Sequence, residues 1–178
     1  MIKMRATEQE QQAARDFANT YDEHNYGENV LGVSHDEFIR FIVVGKLTEL
    51  VVKRLFEDNN IPVNTDNMLI PAAGDHRIGP DIILEYSKQE IDVKAANQHF
   101  HSRLLVREDQ VQAHIHDIYI GTKCIDETNV EIHGYIKGAD LEKLPIGDYG
   151  YGPCRHMLLR DLTSINQLIE KAKNNISI

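Results

Sequence analysis

Residues 80–95, PDIILEYSKQEIDVKA, constrain the fold more than any other part of the chain. The apolar run Ile82-Ile83-Leu84 leads into the polar turn Ser87-Lys88-Gln89. Charged and apolar residues then alternate through Glu90-Ile91-Asp92-Val93-Lys94. Successive side chains of a strand point to opposite faces. The spacing therefore predicts two strands joined by a tight turn, with Glu90, Asp92 and Lys94 on one face and Ile91, Val93 and Ala95 turned into a core. Asp81, opening the first strand, can then converge with Asp92 and Lys94 at the sheet edge. Two carboxylates and a lysine are a minimal set for holding Mg²⁺ and activating a water beside a phosphodiester.

A long helix precedes this pair. From Asp36 to Asp58 the apolar residues Phe38, Ile39, Ile42, Val43, Leu47, Leu50, Val51, Leu55 and Phe56 recur at helical spacing. Ser34 or Asp36 is positioned to cap its start. Asn59-Asn60-Ile61-Pro62 ends it, because a proline disfavours helix in the residue before it.

The segment PDIILEYSKQEIDVK resembles the PD-(D/E)XK nuclease superfamily of restriction endonucleases, resolvases and repair nucleases. Asp81 matches its first metal-binding aspartate, Asp92 its second acidic residue and Lys94 its lysine. Gly45-Lys46-Leu47-Thr48-Glu49-Leu50 resembles the superfamily's helical segment with a glutamate near the active site. Glu49 is the match and Glu57 the alternative, with two solvated helix glutamates as the competing reading. The resemblance implies an α/β, restriction-endonuclease-like core, a central mixed sheet flanked by helices in αβββαβ order. It also implies Mg²⁺-dependent hydrolysis of phosphodiester bonds, most naturally in DNA, with Mn²⁺ able to substitute. Asp81, Asp92, the Val93 backbone carbonyl and Glu49 would hold the metal, and Lys94 would orient or deprotonate the attacking water. One branch of the superfamily carries glutamine-x-x-x-tyrosine in the next helix. Here Gln110 is followed by His114, which departs from that pattern.

A length of 178 residues fits a single domain, 1–178, with residues 1–34 as an N-terminal helical extension. The polar N-terminus does not read as a signal peptide, and no apolar run is long enough to span a bilayer. Cys124 and Cys154 form no CxxC pair and read as free thiols of a cytoplasmic protein. The net charge of -9 argues against a simple nucleic-acid binder, whose footprint is usually basic. A metal-dependent nuclease, however, carries carboxylates at its centre that cations offset. Residues 150–178 are more basic, with Arg155, Arg160, Lys171 and Lys173. Arg155 and Arg160, together with Arg103 and Arg107 just after the motif, are the candidate phosphate-contacting residues. A homodimer would suit so small a chain, since a duplex offers two strands to two sites.

Elsewhere the pattern gives a helix over about residues 7–21 and a polar, turn-rich stretch from Tyr21 to Gly32. A strand is expected around Asn67–Pro71, followed by the loop Ala72–Gly79. After the motif the reading is a helix over Leu104–Ala113, strands over Ile115–Gly121 and Val130–Ile136, a short helix from Gly138 and a last helix over Leu158–Lys173. The H-x-H pairs His99/His101 and His114/His116 form a rival site, since four imidazoles could bind zinc. Two other function classes fit the composition: a non-catalytic binding module on a nuclease fold, and an acidic DNA mimic.

Overall fold

The apolar-periodic stretch upstream of the motif forms a 24-residue helix, His35–Asp58. The Ser34 hydroxyl caps it by accepting the Glu37 N–H at 3.3 Å. The helix ends at Asn59, and Asn60 turns the chain with a left-handed φ of 57° two residues before Pro62. The structure is a computed structural model and describes residues 1–20, 34–66, 68, 69, 79–150 and 152–175. The turn-rich stretch 21–32 and the loop 72–79, apart from Gly79, lie outside the described residues.

The chain is a mixed α/β protein whose larger, mixed sheet is flanked by helices. In chain order its elements are β1 (Ile2–Arg5), α1 (Glu8–Asn19), α2 (His35–Asp58), β2 (Val63–Asn64), β3 (Ile82–Leu84), β4 (Glu90–Ala96), β5 (Arg103–Arg107), α3 (Glu108–Ala113), β6 (Ile118–Cys124), β7 (Asn129–Lys137), α4 (Gly138–Leu141), β8 (Ile146–Asp148), β9 (Pro153–Leu158), β10 (Thr163–Ser164) and α5 (Ile165–Lys173). The larger sheet runs β1-β7-β6-β4-β3-β2, with β10 also on β7. Its one parallel pairing among the described strands joins β4 to β6, with Ile91 opposite Ile118 and Asp92 opposite Tyr119. A second, antiparallel sheet runs β5-β9-β8.

Alternation along β4 decides what each face buries. Ile91 and Val93 join Ile118 and Ile120 in a core closed by α1, α2 and α5, to which Ala14, Leu47, Val51, Phe56, Leu168 and Ile169 contribute. The opposite face carries Asp92 beside Tyr119. There a smaller core of Ala96, Leu104, Val106, Val111, Tyr119, Leu141 and Leu162 joins the two sheets. As an interior strand covered on both faces, β4 holds Asp92 at only 9 % exposure.

Several sequence expectations are corrected here. The 1–34 segment is not only helical: β1 adds an edge strand by pairing Ile2 with Ile132 of β7. A capping box between Thr7 and Glu10 starts α1, and Arg54 of α2 binds the same Glu10 at 2.7 Å. Of the strand expected at 67–71, Met68 and Leu69 lie in a turn and the other three residues lie outside the described ones; a short strand forms earlier, at Val63–Asn64. Leu104–Ala113 is not one helix. Arg103–Arg107 forms β5, because Leu104 and Val106 alternate inward and pair with β9, and helix begins only at Glu108. The final helix begins at Ile165, since Leu158–Ser164 is held extended or in a 3₁₀ turn across the larger sheet. Gly134 makes that crossing feasible: a Cβ there would lie 2.3 Å from the Thr163 carbonyl oxygen. Among the described residues no helix is long and apolar enough to cross a membrane. Cys124 and Cys154 are free and buried.

Candidate active site

The hairpin β3–β4 shapes the site locally. Lys88, in the left-handed region at φ 59°, turns the chain back, and the Asp81 N–H donates to the Ile91 carbonyl at 3.0 Å. The Asp81 carboxylate reaches across to β4, where Oδ2 accepts the Val93 N–H at 2.7 Å. Asp92 and Lys94, two residues apart and therefore on one face, form an ion pair at 2.8 Å. Lys94 Nζ also reaches Gln110 Oε1 of α3 at 3.4 Å.

Glu49 enters from α2. Its carboxylate accepts a hydrogen bond from Lys46, three residues earlier on the helix. Lys46 Nζ also donates to the Met68 carbonyl at 2.6 Å and lies 4.5 Å from the centre of the Phe17 ring. The charges of Glu49, Asp81, Asp92 and Lys94 act on one another. Burial, and after it the negative charges of Glu49 and Asp92, push the Asp81 carboxyl well above the usual carboxylate range. Burial raises Glu49 as well, against the pull of Lys46. For Lys94, burial works to lower the pKa, but Asp92 and Asp81 outweigh it and hold the ammonium above its ordinary value. Three carboxylates against two lysines leave the cluster one negative charge in excess when all are ionised. Such a cluster favours either a bound proton or a bound cation.

The structure thus brings together Asp81, Asp92, Lys94 and Glu49. Glu57 stays apart, paired with Lys53 at 2.6 Å on an exposed face. Val93 meets Asp81 through its N–H. Lys46 and Gln110 are the neighbours that sequence reasoning left without a place in the cluster. The i,i+3 spacing to Glu49 was the available signal for Lys46. For Gln110 it was the position in the helix after the acid-x-lysine strand.

A cavity of about 460 Å³ opens beside Lys94, between α2 and the smaller sheet. Phe41, Phe100, Arg103, Arg107, Gln110 and Tyr149 are among its walls. The Arg103 guanidinium lies 5.5 Å from the centre of the Tyr149 ring, and Arg107 is ion-paired with Asp109. The other two candidate arginines differ. Arg155 spends its fork on Glu108, at 2.7 and 3.0 Å, and on the Leu144 carbonyl at 2.8 Å, which ties β9 to α3. Arg160 is exposed and lies 3.7 Å from Asp161.

The four-imidazole arrangement is not formed among the described residues. The donor set that closes there is Glu90, His114 and His116, whose ligand atoms all lie within 4.8 Å of one another. His114 Nε2 and His116 Nδ1 both meet Glu90 Oε2, at 2.6 and 3.1 Å. The hydrogen bond to His114, followed by that to His116, holds Glu90 below its usual pKa despite partial burial. Compared with known protein families, curated proteins and solved structures, the chain finds no significant match in any of the three.

Proposed function

We propose that this protein is a metal-dependent nuclease that hydrolyses phosphodiester bonds, with DNA as its substrate. The observation that carries this reading is the convergence of Asp81, Asp92, Lys94 and Glu49, from the β3–β4 hairpin and α2, into one half-buried, mutually interacting cluster. The run α2-β2-β3-β4, followed after β5 by α3 and a β6 parallel to β4, supports a restriction-endonuclease-like core.

The donor chemistry fits Mg²⁺. The cluster offers hard carboxylate oxygens, and their shared burial without a full complement of positive charge leaves them in need of a cation. Asp81, Asp92 and the Val93 carbonyl would hold the ion, with Glu49 adding a carboxylate directly or through water. Mn²⁺ would serve in the same place. A bound divalent cation supplies charge stabilisation and a more acidic water. The protein does the rest. Asp81 is fixed by the Val93 N–H, so its second oxygen has a defined direction. Lys94, held as an ammonium between Asp92 and Gln110, orients the attacking water and offsets the charge that builds on the phosphate; it would take the water's proton only once a bound cation had weakened the carboxylates' hold on its own. The cavity beside Lys94 supplies Arg103 and Arg107 for flanking phosphates and aromatic faces for unstacked bases. A second copy of the chain would let both strands of a duplex be cut.

The test is cleavage of supercoiled plasmid, linear duplex and single strands in Mg²⁺, Mn²⁺ or EDTA. Wild type would be compared with Asp92→Ala and Lys94→Ala proteins shown to be folded. Metal-dependent cutting that falls by at least about 100-fold in both variants is expected, since each removes about 3 kcal/mol or more of barrier lowering. No cutting of any substrate by wild type would leave a non-catalytic binding module as the reading.

A further inference from the structure

We propose that Glu90, His114 and His116 form a binding site for a divalent transition-metal ion, with Zn²⁺ as the natural occupant, distinct from the carboxylate cluster. The three ligands come from separate pieces of chain: the first residue of β4, the C-terminal cap of α3 and the segment leading into β6. One oxygen, Glu90 Oε2, lies 2.6 Å from His114 Nε2 and 3.1 Å from His116 Nδ1. Zinc bonds of about 2.0–2.2 Å in a tetrahedral arrangement put neighbouring ligand atoms about 3.3 Å apart. Seating the ion therefore opens the His114 contact from 2.6 Å to about 3.3 Å and the His116 contact from 3.1 Å by much less, among ligand atoms that already lie within 4.8 Å of one another.

The backbone that presents these groups is fixed. The Glu90 N–H donates to Asp117 Oδ2 at 2.8 Å, the His114 N–H to the Gln110 carbonyl at 3.0 Å, and the His116 N–H to the Tyr119 hydroxyl at 3.2 Å. Gly138 lies so close against this segment that a Cβ would come within 2.0 Å of the His116 carbonyl oxygen. Accessibility is graded across the site: the His116 side chain is 7 % exposed, Glu90 32 % and His114 44 %. Two imidazoles and a carboxylate anchored on a buried histidine, with solvent on one side, make a three-ligand set with an open fourth position. Two nitrogen donors also separate its preference from that of the all-oxygen cluster around Asp81, because imidazole suits zinc, cobalt or nickel and Mg²⁺ prefers oxygen. Occupancy would lock the end of α3 to the start of β4, and α3 carries the Gln110 that touches Lys94.

The experiment titrates metal-stripped protein with Zn²⁺ in competition with a chromophoric chelator, with Mg²⁺ in excess. It compares wild type with Glu90→Gln, His114→Ala and Asp92→Asn, each checked for folding by circular dichroism. Wild type and Asp92→Asn should bind one zinc ion with equal affinity. Glu90→Gln and His114→Ala should bind it at least about 100-fold more weakly, the upper end of what losing even an outer-shell partner costs. Absence of zinc uptake by wild type would overturn the proposal. So would binding that survives in both site variants, or binding lost in Asp92→Asn. If a site variant does not fold, Co²⁺ added to wild type decides the matter. Intense visible bands of a four-coordinate nitrogen–oxygen site without sulfur charge transfer are expected, and the weak spectrum of a six-coordinate oxygen site would refute it. Because the readout is metal uptake, the outcome is independent of whether the protein cuts DNA.

Discussion

Asp81 both closes a hairpin and adds a negative charge to a cluster that already holds two. In the folded protein its carboxyl binds a proton more tightly than the ordinary value of 3.8, because of burial and then Glu49 and Asp92. The sign of the linkage follows. The stability that protonated Asp81 contributes is fully present below the unfolded value and is lost as pH rises through the higher folded one. Glu49 acts in the same direction from its ordinary 4.5. Asp81→Asn keeps an oxygen for the Val93 N–H and removes the ionisation. Urea melts in EDTA from about pH 4 to about pH 8 should therefore show a shallower loss of stability with pH in Asp81→Asn than in wild type. Saturating Mg²⁺ should narrow the difference by stabilising only wild type. At this scale the sequence was informative wherever periodicity fixes direction. Asp92 and Lys94 had to share a face, whereas the apolar stripe of α2 left open whether Glu49 or Glu57 would turn toward the sheet, since that depends on how the helix packs. The partners of Glu90 were not legible, because His114 and His116 lie 24 and 26 residues away and only the β4–β6 pairing brings them alongside.

Among the elements, those with a strong local period were readable: α1, α2, the β3–β4 hairpin, β6, β7 and the short α4. Elements defined by long-range partners were not. β5 carries only five residues, and its alternation becomes a strand because β9, far along the chain, pairs with it. The segment Leu159–Leu162 has apolar residues that suit a helix, yet Leu159 and Leu162 bury themselves against Gly121 while Thr163 pairs with Tyr135. Two glycines facing each other across β6 and β7, Gly121 and Gly134, make room for that segment. They differ in what a methyl group would strike. At Gly134 it meets a backbone carbonyl at 2.3 Å, and at Gly121 the tips of Leu162 and Leu159 at 2.5 and 2.8 Å. Leucine tips can change rotamer, whereas a paired carbonyl cannot move without losing β10. Gly134→Ala should therefore cost about 1–3 kcal/mol in urea unfolding, and Gly121→Ala distinctly less.

For the molecule as a whole, the net charge of -9 means that any duplex must be drawn to a local basic surface against a repulsive background. On the proposed reading Arg103 and Arg107 beside Lys94 would supply that surface, Arg107 by exchanging its exposed partner Asp109 for a phosphate, whereas Arg155 is held less exposed between Glu108 and the Leu144 carbonyl. Anisotropy titrations of duplex DNA in Ca²⁺ should show affinity falling steeply with salt. Replacing both Arg103 and Arg107 with alanine should reduce the slope of log K against log salt by about 2, close to one for each phosphate that is no longer neutralised. Arg155→Ala should leave that slope unchanged and lower the unfolding midpoint instead.

The parallel pairing of β4 with β6 also sets an order of events in time. The β3–β4 hairpin is local, so Asp81, Asp92 and Lys94 can take up their relative positions within microseconds of collapse. β6 can join only after the chain has looped through β5 and α3, and non-local closures of that kind are slow. Until then the three hairpin groups remain hydrated and their charges are screened. The crowding of carboxylates is complete only when α2 has packed on the hairpin as well, so its electrostatic cost is expected to fall on a chain whose core is already largely formed.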